Sequence, residues 1–429
     1  MKSALRSVFV LTLMCFAARS QASPGDFKFA FMPGKPPPGY VQVSPSDIYW
    51  RQRGYGFEPG VKISAVDRGG DEPLHSGFCT SDRPFFFSVA LPEGNYRVTV
   101  TLGDAEGEST TTVKAELRRL MVAHAHTAPG QFSSRTFVVN VRVPALSTGG
   151  EVRLKDRERS TEAWDWDEKL TLEFNDLRPC LCALEISRAD TAPTIFLLGD
   201  STVCDQPLEP WNSWGQMLPR FFGPGIAIAN YAESGESLRS SLSAHRLDKV
   251  LSVMKPGDWL FIQYGHNDMK EHGPGVGALT TYKADLKKFI AGARQHGGNV
   301  VLVTPMNRKS FNAEGVITNT LGDYPEAVRQ TAAEEHEPLI DLNAMSKTFY
   351  EALGPQKIDK AFQDGTHHNS YGSYELARCI VEGIKENQLP ITMYLAPDTA
   401  PFDPQHPDSP DTFHIPPSPN HPATKPKGN

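Results

Sequence analysis

The sequence predicts a two-domain protein, an all-β sandwich followed by an α/β domain with a parallel sheet. Its 429 residues exceed the size of one ordinary domain. From residue 26 to residue 187 apolar and polar residues alternate with period two, whereas after residue 190 short apolar runs alternate with amphipathic segments of helical length. The expected division is residues 1–22 for a leader, 23–190 for the sandwich, 191–390 for the α/β domain and 391–429 for a Pro-rich tail.

The first 22 residues have the pattern of a secretory signal peptide. Lys2 and Arg6 precede an apolar run from Val8 to Ala18, and Ser20-Gln21-Ala22 offers a cleavage site with small outer residues. The apolar run is too short to cross a bilayer. We therefore expect a secreted or periplasmic protein.

The net charge of the chain argues against some classes of binding partner. The formal net charge of −7 argues against nucleic acid and against an anionic membrane surface as the main partner.

The five cysteines that follow the leader are an odd number, which leaves at least one thiol unpaired in an oxidising compartment. They are Cys79, Cys180, Cys182, Cys204 and Cys379. The sequence leaves the oligomeric state open.

The sandwich is predicted from strands with one buried face. In Tyr96–Leu102 the apolar residues occupy every second position, and Pro92–Asn95 supplies a hairpin turn before that run. The same alternation recurs in Thr136–Val143, in Leu170–Phe174 and in Cys182–Ile186. Helical periodicity is scarce in this half, so an antiparallel sandwich is the expected fold.

The second half alternates buried strands with helices. The continuous apolar runs are Ile195–Leu198, Trp259–Gln263 and Val300–Val303. Helical spacing of apolar residues marks Tyr282–Gln295 and Tyr371–Asn387. Strands that are apolar on both faces indicate a parallel sheet covered by helices on each side. From Leu389 onward the chain is Pro-rich and poor in large apolar residues, which predicts a disordered or extended tail.

Four short motifs lie where strands of such a sheet end. Ser201 follows the first strand in Gly199-Asp200-Ser201-Thr202, Gly235 lies in the loop after Ile226–Ile228, and Asn267 follows the strand that ends at Tyr264. Asp364 and His367 lie three residues apart, just before the last helix. Ligands of open parallel sheets bind beyond the carboxyl ends of the strands.

These residue types suit acyl transfer. A serine hydroxyl is a nucleophile when a histidine takes its proton and a carboxylate orients that histidine. A glycine N–H and an asparagine amide are donors for the oxyanion that forms. Taken singly, each motif also suits an ordinary loop.

Together the motifs resemble a known family. Gly199–Phe222 (GDSTVCDQPLEPWNSWGQMLPRFF), Asn230–Ser240 (NYAESGESLRS), Gly265–Asp268 (GHND) and Thr304–Arg308 resemble the rhamnogalacturonan acetylesterases of the SGNH, or GDSL-like, hydrolase superfamily. The resemblance extends from about Pro193 to Leu389 and implies a three-layer, flavodoxin-like sheet. The N-terminal half resembles, more loosely, the galactose-binding-like β-sandwich found ahead of some bacterial members.

The resemblance implies roles for five residues. Ser201 would be the nucleophile, His367 the base and Asp364 the orienting acid, with Ser201 N–H, Gly235 N–H and Asn267 as oxyanion donors. The family's spacing of acid and base selects His367 rather than the adjacent His368. The implied reaction is hydrolysis of acetyl esters on pectic rhamnogalacturonan through an acyl-enzyme, without a metal or other cofactor.

Several further residues are candidates for substrate contact. His266 lies in a motif loop, and Arg239 and Arg308 could pair with galacturonate carboxylates. His124 and His126 alternate like a pair of metal ligands, but no third ligand accompanies them, so no metal site is expected.

Two alternatives remain open at this stage. One is an esterase for acetylated xylan or another polysaccharide. The other is a carbohydrate-binding protein with an inactive esterase domain, against which the intact motif residues argue. A chain that starts near Thr191 is expected to keep activity on a small ester if the sandwich is an independent module.

Overall fold

A computed structural model describes residues 26–419 of the chain. The expected leader, residues 1–22, lies outside the described residues. The first half consists of strands and contains no long helix in its described part. The strands are β1 (Phe27–Ala30), β2 (Val41–Gln42), β3 (Tyr55–Phe57), β4 (Ser64–Asp67), β5 (Gly77–Thr80), β6 (Phe85–Ala90), β7 (Gly94–Gly103), β8 (Ser109–Ala115), β9 (Arg119–Thr127), β10 (Phe132–Val141), β11 (Lys169–Asn175) and β12 (Leu181–Arg188).

Two sheets pack face to face in this half. One has the strand order β3-β6-β11-β8-β9, and the other contains β10, β7, β12, β1 and β2, with β4 and β5 at its side. The period-two pattern of β7 has its expected effect, because Tyr96, Val98 and Val100 are fully buried while Arg97 between them is exposed. These side chains share a core with Phe85 and neighbouring residues of β6 on the opposite sheet. The predicted all-β sandwich is confirmed.

The second half is an α/β domain. Its parallel strands are β13 (Thr194–Gly199), β14 (Ala227–Asn230), β15 (Trp259–Gln263), β16 (Asn299–Val303) and β17 (Leu339–Ile340). Its helices are α1 (Trp214–Met217), α2 (Leu238–Ser243), α3 (Arg246–Val253), α4 (Lys283–Gln295), α5 (Tyr324–Glu335), α6 (Leu342–Lys357) and α7 (Ser370–Glu386). Short 3₁₀ or π turns occur in both halves of the chain. In the first half they are Pro73–His75 and Ala163–Trp166, and in the second half Leu218–Phe221, Asp268–Lys270, Ala278–Tyr282, Ile358–Lys360 and Pro390–Tyr394.

The order of the parallel strands is β17-β16-β15-β13-β14. Read from the β14 end and numbered along the chain from β13, the order is 2-1-3-4-5, which is the flavodoxin-like order. Both faces are covered: Leu197 of β13 packs toward Trp214 and the α6–α7 side, and Phe196 packs toward Phe289 of α4. The predicted three-layer fold is confirmed.

One continuous sheet joins the two halves. β14 pairs in parallel with β10 through Val139 and Ile228, so that the parallel strands and the larger sandwich sheet form a single 12-stranded sheet. The connection between β10 and β11, residues 142–168, leaves the sandwich and packs on the α/β half. Its Glu158 forms a fully buried ion pair with Arg246 of α3, with Nη2 to Oε2 at 2.6 Å.

The described part of the Pro-rich tail is extended and packed. After the turn Pro390–Tyr394 it returns to the sandwich, where Lys114 Nζ donates to Pro416 O at 2.6 Å and to Ser418 Oγ at 2.7 Å. Ser418 Oγ donates in turn to Glu173 at 2.6 Å. The tail therefore contacts both halves.

The five cysteines after the leader are free, buried thiols. No helix between residues 26 and 419 combines the length and the apolar character that crossing a membrane requires.

Candidate active site

The fold gathers the motif residues at one edge of the parallel sheet. Ser201 follows β13, Gly235 follows β14 and Asn267 follows β15, three adjacent strands that all run the same way. The turn after β13 requires Gly199, since a Cβ there would lie 2.5 Å from Val203 Cγ2 and 2.7 Å from Gln263 O. The tight turn leaves Ser201 at the carboxyl edge of the sheet.

Ser201, His367 and Asp364 form a hydrogen-bonded chain. Ser201 Oγ lies 2.8 Å from His367 Nε2, and His367 Nδ1 lies 2.8 Å from Asp364 Oδ2. Because a carboxylate only accepts, the His367 ring donates from Nδ1 and presents its Nε2 lone pair to the serine hydroxyl. This is the tautomer that a general base needs.

Backbone hydrogen bonds fix the Asp364 carboxylate. Its Oδ1 accepts from the N–H groups of Thr366 and His367, each at 2.7 Å. Partial burial opposes ionisation, but these two bonds and the His367 ring together lower the pKa of Asp364 to about 2. The carboxylate is therefore ionised throughout the neutral range.

Gly235 and Asn267 line the same cavity as Ser201. Gly235 has φ +78°, in the left-handed region that suits glycine. The Asn267 amide is oriented at both ends, since Oδ1 accepts from Lys270 Nζ at 2.8 Å and Nδ2 donates to Glu236 O at 3.0 Å. One of the two Nδ2 hydrogens makes that bond, and the second is available to a bound group.

The cavity has a volume of about 570 Å³. Ser201, His367, Gly235 and Asn267 all line it, together with Trp211 and the apolar side chains beside it. Three cationic side chains also line it, namely Arg157, Lys270 and Arg308. The carboxyl groups of Glu162 and Asp364 line it as well, so cationic side chains outnumber acidic ones here although the net charge of the chain is −7.

The three predicted substrate contacts take different positions. His266 lines the cavity, but it is buried and its ring nitrogens face Asp200 Oδ2 at 3.3 Å and Met306 O at 3.1 Å. Arg308 lines the cavity and donates to Thr366 Oγ1 at 3.2 Å, and burial lowers its pKa. Arg239 is not among the lining residues, and its guanidinium pairs with Glu271 at 3.4 Å.

His368 points away from the cavity. It is buried, and its Nε2 lies 2.8 Å from the Tyr350 hydroxyl. Burial lowers the pKa of His368 to about 3. The ring therefore stays neutral, whereas His367 faces Ser201.

The 142–168 connection brings residues to the site that no motif indicated. Arg157, Thr161 and Glu162 line the cavity from the sandwich side. Burial, followed by the neighbouring Glu233 carboxylate, raises the pKa of Glu162. The one signal in the sequence is the charged run Lys155–Arg159 (KDRER) within a β-rich region, which by itself is typical of a solvated loop.

No group of three or more His, Cys, Asp or Glu side chains within residues 26–419 is arranged to hold a metal ion. His124 Nδ1 lies 2.6 Å from Asp176 Oδ2, and its ring stacks on His414 of the tail. His126 lies beside Thr110.

The flavodoxin-like strand order with G-D-S at the end of the first strand defines an SGNH-type hydrolase. The chain belongs to the GDSL-like lipase/acylhydrolase family, whose model matches residues 197–373. A second model, described as beta-agarase/YXIM esterase-like, galactose-binding domain-like, matches residues 27–139. The protein is therefore a carboxylic ester hydrolase with an N-terminal galactose-binding-like domain, and the family resemblance is confirmed.

Two related proteins of Bacillus subtilis support this assignment by sequence. The rhamnogalacturonan acetylesterase RhgT of Bacillus subtilis (strain 168) is 36% identical in an alignment over 218 residues that covers 47% of this chain and 93% of that protein. The uncharacterized esterase YxiM of the same organism is 30% identical in an alignment over 411 residues that covers 91% of this chain and 99% of that protein. The crystal structure of YxiM covers 85% of this chain and 99% of its own, with 28% identity and a TM-score of 0.46.

Proposed function

We propose that the protein is an exported esterase that removes acetyl groups from pectic rhamnogalacturonan, with Ser201, His367 and Asp364 as its catalytic residues. The observation that carries the proposal is the hydrogen-bonded chain from Ser201 Oγ through His367 to Asp364 at a cavity that Gly235 and Asn267 also line.

The reaction follows from this geometry. Ser201 Oγ attacks the acetyl carbonyl carbon while His367 Nε2 takes the hydroxyl proton. The carbonyl oxygen becomes an oxyanion that accepts hydrogen bonds from Ser201 N–H, Gly235 N–H and Asn267 Nδ2. The C–O bond to the sugar breaks, and the leaving sugar oxygen takes the proton from His367. Water then attacks the acetyl-enzyme, passes a proton to His367, and acetate leaves as Ser201 regains its hydrogen.

Two observations favour an acidic pectic substrate over a neutral one. RhgT, the 36% identical relative, is named a rhamnogalacturonan acetylesterase. The cavity of this acidic chain is lined by Lys270 and Arg308, and a guanidinium group suits the carboxylates of galacturonate.

Acetate release from acetylated rhamnogalacturonan and from acetylated xylan tests the substrate. We expect faster release from rhamnogalacturonan and none from the Ser201→Ala variant on either polymer. Preference for xylan would favour a xylan esterase, and release from neither would favour a carbohydrate-binding protein with an inactive esterase domain.

A matched pair of arginine variants tests the basic lining. Arg308→Gln should raise KM for rhamnogalacturonan while leaving KM for a small chromogenic acetate unchanged. Arg239→Gln should change neither value, because Arg239 does not line the cavity. Equal behaviour of the two variants would contradict the role of Arg308.

Export is a separate part of the proposal and rests on the leader pattern of residues 1–22. Expression of the full chain in a bacterium should give an exported protein whose N terminus, by mass spectrometry, follows Ala22. An uncleaved chain that stays in the cytoplasm would contradict this part.

A further inference from the structure

Two cations of the N-terminal half bind the loop that carries Gly235. Lys155 Nζ donates to Ser234 O at 2.6 Å and pairs with Glu236 at 2.6 Å. Arg157 Nη2 also donates to Ser234 O, and Arg157 Nε donates to Glu233 Oε1 at 2.6 Å. One backbone carbonyl of the α/β half thus accepts from two charged donors of the sandwich half.

That carbonyl belongs to the same peptide group as the Gly235 N–H. In a trans peptide the C=O and the N–H point in opposite directions. Fixing Ser234 O against Lys155 and Arg157 therefore directs the Gly235 N–H away from the sandwich half. Among residues 26–419 no acceptor is hydrogen-bonded to this N–H, and Gly235 lines the cavity beside Ser201.

We propose that Lys155 and Arg157 are positioning residues, which hold the Ser234–Gly235 peptide with its N–H toward the oxyanion. Without them this peptide can rotate, because glycine accepts both signs of φ, and rotation would turn the carbonyl toward the cavity. Cations on the carbonyl also polarise the peptide and strengthen its N–H as a donor. The inference rests on the proposed function, in which Gly235 N–H binds the oxyanion.

A purely structural role of these cations would be to hold the two halves together. Lys249 offers the matched control, because it also bridges the halves: its Nζ donates to Ala145 O at 2.6 Å and pairs with Glu93 at 2.6 Å. It makes no contact with residues 233–236 among the described hydrogen bonds and ion pairs. Loss of Lys249 weakens the same interface without touching the Gly235 peptide.

The test compares Lys155→Met, Arg157→Met, their double variant and Lys249→Met on a small chromogenic acetate. Complete loss of one oxyanion donor lowers kcat by about a hundred- to a thousand-fold, and this is the upper limit for the loss of kcat when that donor is only misoriented. We expect the double variant to lose on the order of ten- to a hundred-fold in kcat with KM nearly unchanged, and each single variant to lose less, since one cation remains on Ser234 O. Lys249→Met should keep the wild-type kcat, and Lys155→Arg should restore most of what Lys155→Met loses.

A trifluoromethyl ketone separates positioning from general damage. It forms a tetrahedral adduct with the serine, and its inhibition constant should rise by the same factor as kcat falls. The inhibition constant for Lys249→Met should stay at the wild-type value.

The outcomes are distinguishable. A folded double variant with wild-type kcat, or one that changes only KM, overturns the positioning role. If the double variant does not fold, Lys155→Met alone decides, because that side chain is one-third exposed and its removal is tolerated more easily. Activity in Ser201→Ala under the same assay would instead overturn the proposed function.

Discussion

Replacing Arg119 by methionine tests how firmly the sandwich is bound to the loop that follows Ser201. The Arg119 side chain is 2% exposed. Its Nε donates to Asp205 Oδ2 at 2.6 Å and its Nη2 to Asp165 Oδ1 at 2.7 Å. Asp205 also accepts from Asn230 Nδ2 at 2.8 Å, so the guanidinium connects the end of β14, the nucleophile loop and the sandwich.

The expected loss follows from the burial of this cluster. Removing one partner of a buried ion pair costs about 3–5 kcal/mol, because the other charge stays buried without its counter-ion. Burial raises the pKa of Asp205 even in the presence of Arg119, so loss of the arginine leaves a carboxyl group that is costly to keep ionised.

Urea unfolding followed by tryptophan fluorescence measures the effect. Arg119→Met should lower the free energy of unfolding by about 3–5 kcal/mol, a large part of the roughly 5–15 kcal/mol typical of a folded protein. The control is Arg51→Met, since Arg51 lies 3.9 Å from Glu168 and both side chains are at least 70% exposed. Such a surface pair contributes about 0–1 kcal/mol. A loss below about 1 kcal/mol for Arg119→Met would refute the reasoning.

Four further predictions concern the active site, the pH dependence of stability and the domain border. Asn267→Ala should lower kcat by about a hundred- to a thousand-fold with little change in KM, and a change in KM alone would assign Asn267 to ground-state binding. His367→Ala should be nearly inactive, whereas His368→Gln should keep most of its turnover. Because burial lowers the pKa of His368 from 6.5 to about 3, the unfolded chain binds a proton below pH 6.5 that the folded protein does not bind. Stability is thus lost as pH falls from 6.5 toward 3, by at most about 1.4 kcal/mol per pH unit, and calorimetry across this range should show a smaller slope for His368→Gln. A chain that starts at Thr191 should be poorly soluble and inactive, because Asp205 would lose its buried partner Arg119. This differs from the expectation drawn from the sequence. An active, monomeric product would show that the sandwich is dispensable.

The sequence allowed prediction of the fold and the motif residues because both depend on local pattern. Ser201 and Asn267 each follow a continuous apolar run, and parallel strands place their carboxyl ends at one edge. The alternation in Tyr96–Leu102 likewise set the buried face of β7 without knowledge of its partners.

What the sequence did not predict depends on contacts between distant segments. Arg157 and Glu233 are 76 residues apart, and no periodicity relates them. The pairing of β10 with β14 rests on one residue pair, Val139 and Ile228, which carries no recognisable signature. Ser418 lies in a stretch whose composition is typical of an unstructured tail, yet its partners Lys114 and Glu173 are buried in the sandwich.

The pairing of β10 with β14 also concerns aggregation. The outermost strand of a parallel sheet presents unpaired N–H and C=O groups, which act as a template for the strands of other molecules. In this chain a strand of the sandwich covers that side of β14, and β10 continues through β7 and β12 to short terminal strands. The sandwich therefore removes the β14 edge as a template for self-association, and the opposite edge is the two-residue strand β17, which is too short to pair extensively.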